Sequence, residues 1–387
     1  MITITDKSRC CGCSACMSVC PRSCISMKSD GEGFLYPVTD TEQCIDCNAC
    51  NKICPIINLR DTDKPFEESL FFAVYSNDEA VLLQSSSGGA FTLLSEKFIA
   101  EGGVVFGAAW DENIVRHVRI DTIEELSRLR GSKYVQSDVN ATFLEVKSLL
   151  ANGIKVLYSG TPCEIAGLNS FVKKGKELLN TIEVACHGAP SPKALTAYLE
   201  DVKSQFAAQT IKINFRSKET GWINYSVKAI QSRKTLFMED HKDNIFMRGF
   251  LHELYSRPSC HDCRFKGNAS KADITLADFW GIEEILPDFP RSKGVSLVIV
   301  NTEKGCKLWD LAKSGARYCK VDSDCAIRNN RSLLESAEAH PERKYFFHHL
   351  GRDRDFVPLV EICLRLRTIT KVKLFIKSIL KRIIKWS

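Results

Sequence analysis

A run of four cysteines occurs twice near the N-terminus. Cys10-x-x-Cys13-x-x-Cys16-x-x-x-Cys20 precedes Pro21, and Cys44-x-x-Cys47-x-x-Cys50-x-x-x-Cys54 precedes Pro55. No other feature of the sequence restricts the fold as strongly. A C-x-x-C-x-x-C loop brings three thiolates to one cubane, and in the two-cluster arrangement the last cysteine of each run ligates the other cluster. The spacing therefore assigns Cys10, Cys13, Cys16 and Cys54 to one 4Fe-4S cluster and Cys44, Cys47, Cys50 and Cys20 to a second. A zinc ribbon also uses paired C-x-x-C knuckles, but zinc takes four ligands, usually as two pairs. Two identical four-cysteine runs, each closed by proline, match clusters better. Between the runs, CISMKSDGEGFLYPVTD reads as two short strands around a DGEG turn. Cys11 and Cys24 fall outside the spacing and read as bystanders.

The remaining cysteines, out of 18 in 387 residues, bear on the compartment. With no apolar signal segment at the start, the chain is expected to be cytoplasmic, where thiols stay reduced and clustered cysteines are metal ligands more often than disulfides. No apolar run reaches the length of a membrane span. The net charge of +6 is modest and weighted towards the C-terminus, so no nucleic-acid partner is expected.

After a polar stretch at 57–68, read as a linker, strand-like apolar runs alternate with helical patterns. LFFAVYS (70–76), GVVFGAAW (103–110) and IKVLYSG (154–160) are separated by helices through 91–102 and near 138–151. Further on, strand-like runs at 177–188, 211–218, 222–230, 272–281 and 294–302 mix with a helix near 192–205. Such alternation predicts a mixed α/β sheet with some parallel pairing.

Four more cysteines stand in distinctive settings: Cys163 in SGTPCEIAGL, Cys186 in EVACHGAPS, and Cys260 with Cys263 in RPSCHDCRFKG. Cys163 and Cys186 each follow an apolar run, at the carboxyl end of a strand where open α/β sheets place their sites. On spacing alone they read either as small buried hydrophobes or as ligands of a third cluster. Cys306, Cys319, Cys325 and Cys363 have no such context and read as structural.

The segments SSSGGAFTLLSEKFIAEG, GSKYVQSD, YSGTPCEIAGL, CHGAPSP, CHDCRFKGNASKADITLADFWG and FPRSKGVSLVIVNT occur here in this order. Through them the chain resembles, over roughly residues 70–305, the coenzyme F-420 hydrogenase/dehydrogenase beta-subunit family, in which a fused N-terminal ferredoxin also occurs. The resemblance implies an iron–sulfur flavoprotein that passes electrons through 4Fe-4S clusters and FAD to a soluble two-electron acceptor. It implies a third 4Fe-4S cluster held by Cys163, Cys186, Cys260 and Cys263. The electron donor would be ferredoxin or a redox partner subunit, and the acceptor a small molecule. The family is also similar to bacterial proteins acting near surface polysaccharide synthesis, so a role in polysaccharide metabolism is a further expectation.

The expected organisation is a multidomain α+β/α/β chain. Residues 1–62 form a two-cluster ferredoxin domain. Residues 68–152 and 153–345 form the two parts of the family-like domain, with flavin and third cluster in the second. Residues 346–387 form a helical basic tail. For the flavin, Ser86, Ser87, Gly88 and Gly89 precede a helix start whose free N–H groups suit a pyrophosphate, although an ordinary glycine-rich N-cap has the same composition. Lys133 offers a cation for a phosphate or for negative charge on the reduced ring, and Tyr134 a stacking surface. Gly160 and Thr161 bring backbone amides close beside Cys163. Asp278, Trp280 and Gly281 form a polar-aromatic-small turn that reads as site or packing. Lys133 and His187 are the expected catalytic residues, since a hydride-transferring flavin needs a proton source and histidine titrates in the useful range. His187 and His261 read equally as neighbours tuning a cluster.

From Thr370 on, Val372, Phe375, Ile376, Ile379, Leu380, Ile383 and Ile384 recur at helical spacing opposite Lys371, Lys377, Lys381, Arg382 and Lys385. This pattern predicts a basic amphipathic helix, either interfacial at the inner face of the membrane through 367–387 or docked on the protein's own surface or an acidic partner.

Overall fold

The structure is a computed structural model; it describes residues 1–59, 65–352 and 354–366. The runs Val156–Gly160, Leu179–Val184 and Ile274–Asp278 are short, flanked by helices and largely buried. That is the requirement for a strand inside a sheet covered on both faces. With Val104–Asp111 they form a four-stranded parallel centre. Antiparallel strands close both sides: Ser296–Val300, Leu70–Ser76 and Ala316–Val321 on one, Ile114–Ile120 on the other. The result is one eight-stranded mixed sheet. Strands from 68–152 and from 153–345 interleave in it, so those two stretches share one domain.

A second, three-stranded antiparallel sheet has Ser226–Gln231 between Lys212–Ser217 and Lys234–Asp240. Its two-residue turn, Ser232-Arg233, has positive φ at both positions, the conformation that matches the twist of a tight hairpin. Beside this sheet the helix Pro192–Phe206 buries Ala194, Leu195, Tyr198, Leu199 and Val202 on one face, a three- and four-residue spacing. Ser191 caps it, accepting from the Ala194 amide, and Pro192 occupies the first helical position, where a missing N–H costs nothing.

In the N-terminal module the sequence repeat becomes a structural one. Ser14 and Asn48 both take left-handed backbone before the short helices Ala15–Val19 and Ala49–Ile53, and Cys20 and Cys54 follow those helices in extended conformation. The strands Ile25–Ser29 and Leu35–Thr39 pair as a hairpin around the DGEG turn. That turn is gripped by the rest of the chain. Arg343 forms two hydrogen bonds to the Glu32 carboxylate (3.0 and 2.6 Å), and Ser191 and Lys193 donate to the carbonyls of Glu32 and Gly31. Phe34 is fully buried and meets Phe347 edge to face, 6.3 Å between ring centres; burying one such side chain contributes about 2 kcal/mol. The module is packed into the body as well as joined to it by the 57–68 connection, of which residues 60–64 lie outside the described residues.

The expected boundary at 346 requires correction. It falls inside the helix Arg343–His349, and Phe346, Phe347, Leu350, Phe356, Leu359, Val360 and Cys363 are all buried in the same core as Phe34. Residues 346–352 and 354–366 therefore belong to the globular body. In sequence the apolar residues of this stretch read as a tail because their partners lie far away along the chain. The basic amphipathic segment 367–387 lies outside the described residues. Among the described residues no helix is long and apolar enough to cross a membrane.

Candidate metal centres and cofactor site

Leu70–Ser76 runs parallel to the central strands, because it is antiparallel to Ser296–Val300, itself antiparallel to Ile274–Asp278. The carboxyl ends of Leu70–Ser76, Val156–Gly160, Leu179–Val184 and Ile274–Asp278 thus share one rim. On it lie the Ser85–Gly89 loop, Thr161 and Cys163, Cys186 and His187, and Asp278 to Trp280. Open α/β sheets place their sites on such a rim.

Cys10, Cys16 and Cys54 lie within electrostatic reach of one another. Burial, then the neighbouring Cys10 and Cys54, push the Cys16 thiol up to about 12. Cys13 is buried against the helix Pro162–Phe171, where a Cβ on Gly167 would stand 2.7 Å from the Cys13 Cβ and 2.9 Å from its Sγ. The crossed partner Cys54 thus stands by the first run, as a two-cluster arrangement requires. Cys20, Cys44, Cys47 and Cys50 line one cavity at the surface. Cys24 lines it too, its Sγ 3.3 Å from that of Cys20, so it is more than a distant bystander.

Cys163, Cys186, Cys260 and Cys263, spread over about a hundred positions of sequence, converge into one electrostatic group. Burial holds the Cys186 thiol well above its ordinary range and pushes Cys260 up to about 12. The Ala189 amide donates to Cys260 Sγ at 3.4 Å, and Lys266 ties the Cys186 carbonyl to that of Ser332. Cys11 reaches this group: its thiol lies beside those of Cys163 and Cys13. Among the described residues no three His, Cys, Asp or Glu side chains close on a single metal ion; a cubane instead spreads four thiolates over four irons.

The Ser85–Gly89 loop meets the 131–134 segment through Ser86 Oγ, which accepts from the Ser132 amide at 2.9 Å and lies 2.9 Å from Ser132 Oγ. Gly88 is there for packing: a Cβ would stand 2.2 Å from the Val74 carbonyl oxygen and 2.6 Å from the Ser296 nitrogen. Gly89, in left-handed conformation, caps the helix Ala90–Ala100 without a side-chain hydrogen bond. Lys133 turns its ammonium onto the carbonyls of Arg128, Leu129 and Arg130, and burial lowers it to about 7. Tyr134 packs between Phe215 and Phe250. Gly160 sits against Glu164 and His117. Thr161 caps its helix in a reciprocal capping box with Glu164, its Oγ1 3.3 Å from Cys163 Sγ.

Five residues escape the sequence reading. Arg216, almost fully buried, donates to the Ser86 carbonyl and the Asp278 carboxylate (3.2 and 3.0 Å) and stacks over Tyr225, while its Nε is buried without a hydrogen-bond partner. Trp222 stacks on Trp280 and donates to Asp278, and Lys218 reaches the carbonyls of Ser87 and Lys293. Near the cysteines, buried Glu253 in left-handed backbone lies 2.7 Å from His187 Nε2. Finally, Phe250 stands between the two regions, 5.2 Å from Tyr134 and 5.3 Å edge-on from His187. No local spacing announces these residues.

Lys133 and His187, the expected catalytic pair, have separate partners: the carbonyls of Arg128, Leu129 and Arg130 for Lys133, and the Glu253 carboxylate for His187. Three comparisons with known proteins bear on this arrangement. Residues 9–57 match the family described as 4Fe-4S dicluster domain. Residues 153–323, which carry the Cys163 set and most of the rim, match the family described as the C terminus of the coenzyme F420 hydrogenase/dehydrogenase beta subunit. No curated protein matches the chain. Among solved structures, a chain of the F420-reducing [NiFe] hydrogenase complex from Methanosarcina barkeri is similar at 17% identity and TM-score 0.47, over 80% of this chain and 94% of that one. With both family matches falling on the two cysteine-bearing bodies just described, residues 153–323 form a C-terminal domain of the coenzyme F420 hydrogenase/dehydrogenase beta-subunit family, and the chain carries a 4Fe-4S dicluster domain at its N-terminus.

Proposed function

We propose that this iron–sulfur electron-transfer protein is a flavin-dependent oxidoreductase with three 4Fe-4S clusters, taking electrons from ferredoxin or a redox partner subunit and delivering them in pairs to a small-molecule acceptor. The observation that carries the reading is the contact of Cys11 with Cys163, which sets the dicluster module directly against the converged cysteines of the core. Cys163, Cys186, Cys260 and Cys263 would hold the third cluster. Their half-buried, converging thiols fit a group that takes four thiolates.

The rim also fits an anionic, planar cofactor such as FAD. The uncapped start of Ala90–Ala100 offers backbone amides. Arg216 and Lys218 supply positive charge, and the orphaned Arg216 Nε supplies an unused donor. Tyr134, Tyr225 and Trp280 supply aromatic surface. A bound flavin supplies the conversion between one- and two-electron transfer. Lys133, held by three carbonyls, supports the loop rather than reaching outwards, and His187 with Glu253 forms the unit able to hold a proton beside the cysteines.

The test is anaerobic purification followed by acid release of flavin. About one flavin per chain, at purification or after incubation with FAD, is expected. A protein that neither retains nor rebinds flavin is instead a relay subunit whose substrate is reduced elsewhere.

A further inference from the structure

The two cysteine runs are repeats in sequence but not in surroundings. The first is clasped by the core. The Cys10 carbonyl accepts from Arg257 Nε at 2.8 Å, the Cys11 carbonyl accepts from Gln136 Nε2, the Cys11 thiol meets Cys163, and Cys13 lies on Gly167. The second run faces out. Cys47 is exposed, and the cavity it shares with Cys20, Cys44 and Cys50 opens to the surface.

Arg257 is the residue that makes this difference electrical. It is 1% exposed. Its guanidinium donates to the carbonyls of Cys10 and Leu35 and to Gln136 Oε1, lies over Tyr36 at 4.2 Å from the ring centre, and points Nη2 at Cys10 Sγ from 3.7 Å. Among the described residues no carboxylate pairs with it. The acids of the adjoining turn are taken, Asp30 by Lys7 and Glu32 by Arg343. A buried guanidinium with only neutral acceptors is expensive to desolvate. A cubane with four thiolate ligands is an anion that gains one more negative charge on reduction, so it is the compensating group this position lacks. By contrast, the cations at the outer cavity are the exposed Arg22 and the Met1 amine, the latter already on Asp46; water and salt screen them.

We propose that Arg257 is a positioning residue that raises the reduction potential of the cluster at Cys10, Cys13, Cys16 and Cys54 above that of its twin, making it the one that exchanges electrons with the core. The outer cluster then receives electrons from the partner and the inner one collects them next to Cys163, while Arg257 itself stands three residues before Cys260. The inference rests on both runs holding clusters.

The test is a redox titration of the full chain followed by electron paramagnetic resonance, with the signals assigned by Cys13→Ser and Cys47→Ser. In Arg257→Gln the step belonging to the Cys13 cluster is expected to move to more negative potential while the Cys47 step stays in place, and Arg257→Lys, which keeps the charge, is expected to recover most of the shift. Arg257→Gln with full iron and both steps unmoved, or with both moved equally, overturns the proposal. Should Arg257→Gln fail to load iron, the unmodified protein decides. Between low and high salt the more positive ferredoxin step is expected to stay fixed and the more negative one to drift; the reverse pattern overturns the proposal. Absence of iron from the unmodified protein would instead strike at the cluster reading itself.

Discussion

The thiol of Cys11 lies beside the thiol of Cys163, 152 positions along the chain, so the first cysteine loop of the dicluster module touches the first residue of the core set directly. The contact depends on Gly167, one turn further along the same helix, having no side chain where Cys13 rests. Module and core therefore meet through the cysteines themselves.

Cys11 follows from this as a neighbour of ligands rather than a ligand. Cys11→Ala should keep the full iron content and lower stability by about 1 kcal/mol, the cost of removing one small buried apolar group, read from iron assay and unfolding midpoint together. A loss of about four irons would make Cys11 a ligand in its own right.

Two glycines are held by contact distance. Gly88→Ala sets a methyl group against the Val74 carbonyl and Ser296 nitrogen, and should destabilise by about 3 kcal/mol. Gly167→Ala meets the Cys13 side chain instead, so it should perturb the spectrum of the first ferredoxin cluster more than it lowers the melting temperature. Equal melting losses with unchanged spectra in both variants would refute the distinction.

Glu183, on the central strand Leu179–Val184, is buried and accepts from Ser270 and Thr275, and burial pushes its carboxyl up to about 7. The folded state therefore holds a proton that the unfolded chain releases near 4.5. The stabilisation is complete below that pH and is lost as pH rises through about 7, amounting to about 3 kcal/mol. Urea midpoints at pH 5 and pH 7.5 should differ in the unmodified protein, and Glu183→Gln should flatten the difference. A slope unchanged in Glu183→Gln would rule the assignment out.

Lys218, half-buried against the Ser87 and Lys293 carbonyls, is lowered to about 8, chiefly by burial and then by Arg216. Its amine is charged below that pH and neutral above it. If it helps hold the flavin's negative charge, affinity for added FAD should fall about tenfold between pH 7 and pH 9, and Lys218→Arg should remove that dependence. Titration by flavin fluorescence quenching measures both. A pH-independent affinity in the unmodified protein excludes Lys218 from the site.

Much of the architecture is legible in the sequence because its signals are local. The strand Leu70–Ser76 and the helix Pro192–Phe206 lie within a residue of where the apolar pattern predicts them. Strand-end residues such as Cys163 can be placed on a rim because an apolar run must end somewhere. Arg257, Glu253 and Phe250 are opaque for the opposite reason: a buried charge or a bridging ring is specified by partners far away in sequence. The segment 132–136 shows this well. Ser132 binds Ser86, Tyr134 packs on Phe250 and Gln136 accepts from Arg257, yet only Lys133 and Tyr134 stand out in the sequence, and Lys133 faces the carbonyls of its own turn.

The iron content of the anaerobically purified chain tests the account most directly, read beside that of Cys163→Ser. Three clusters predict about 12 irons per chain, falling to about 8 in the variant with the ferredoxin signals intact. About 8 irons in both proteins would contradict it, leaving the converged core cysteines without a cluster.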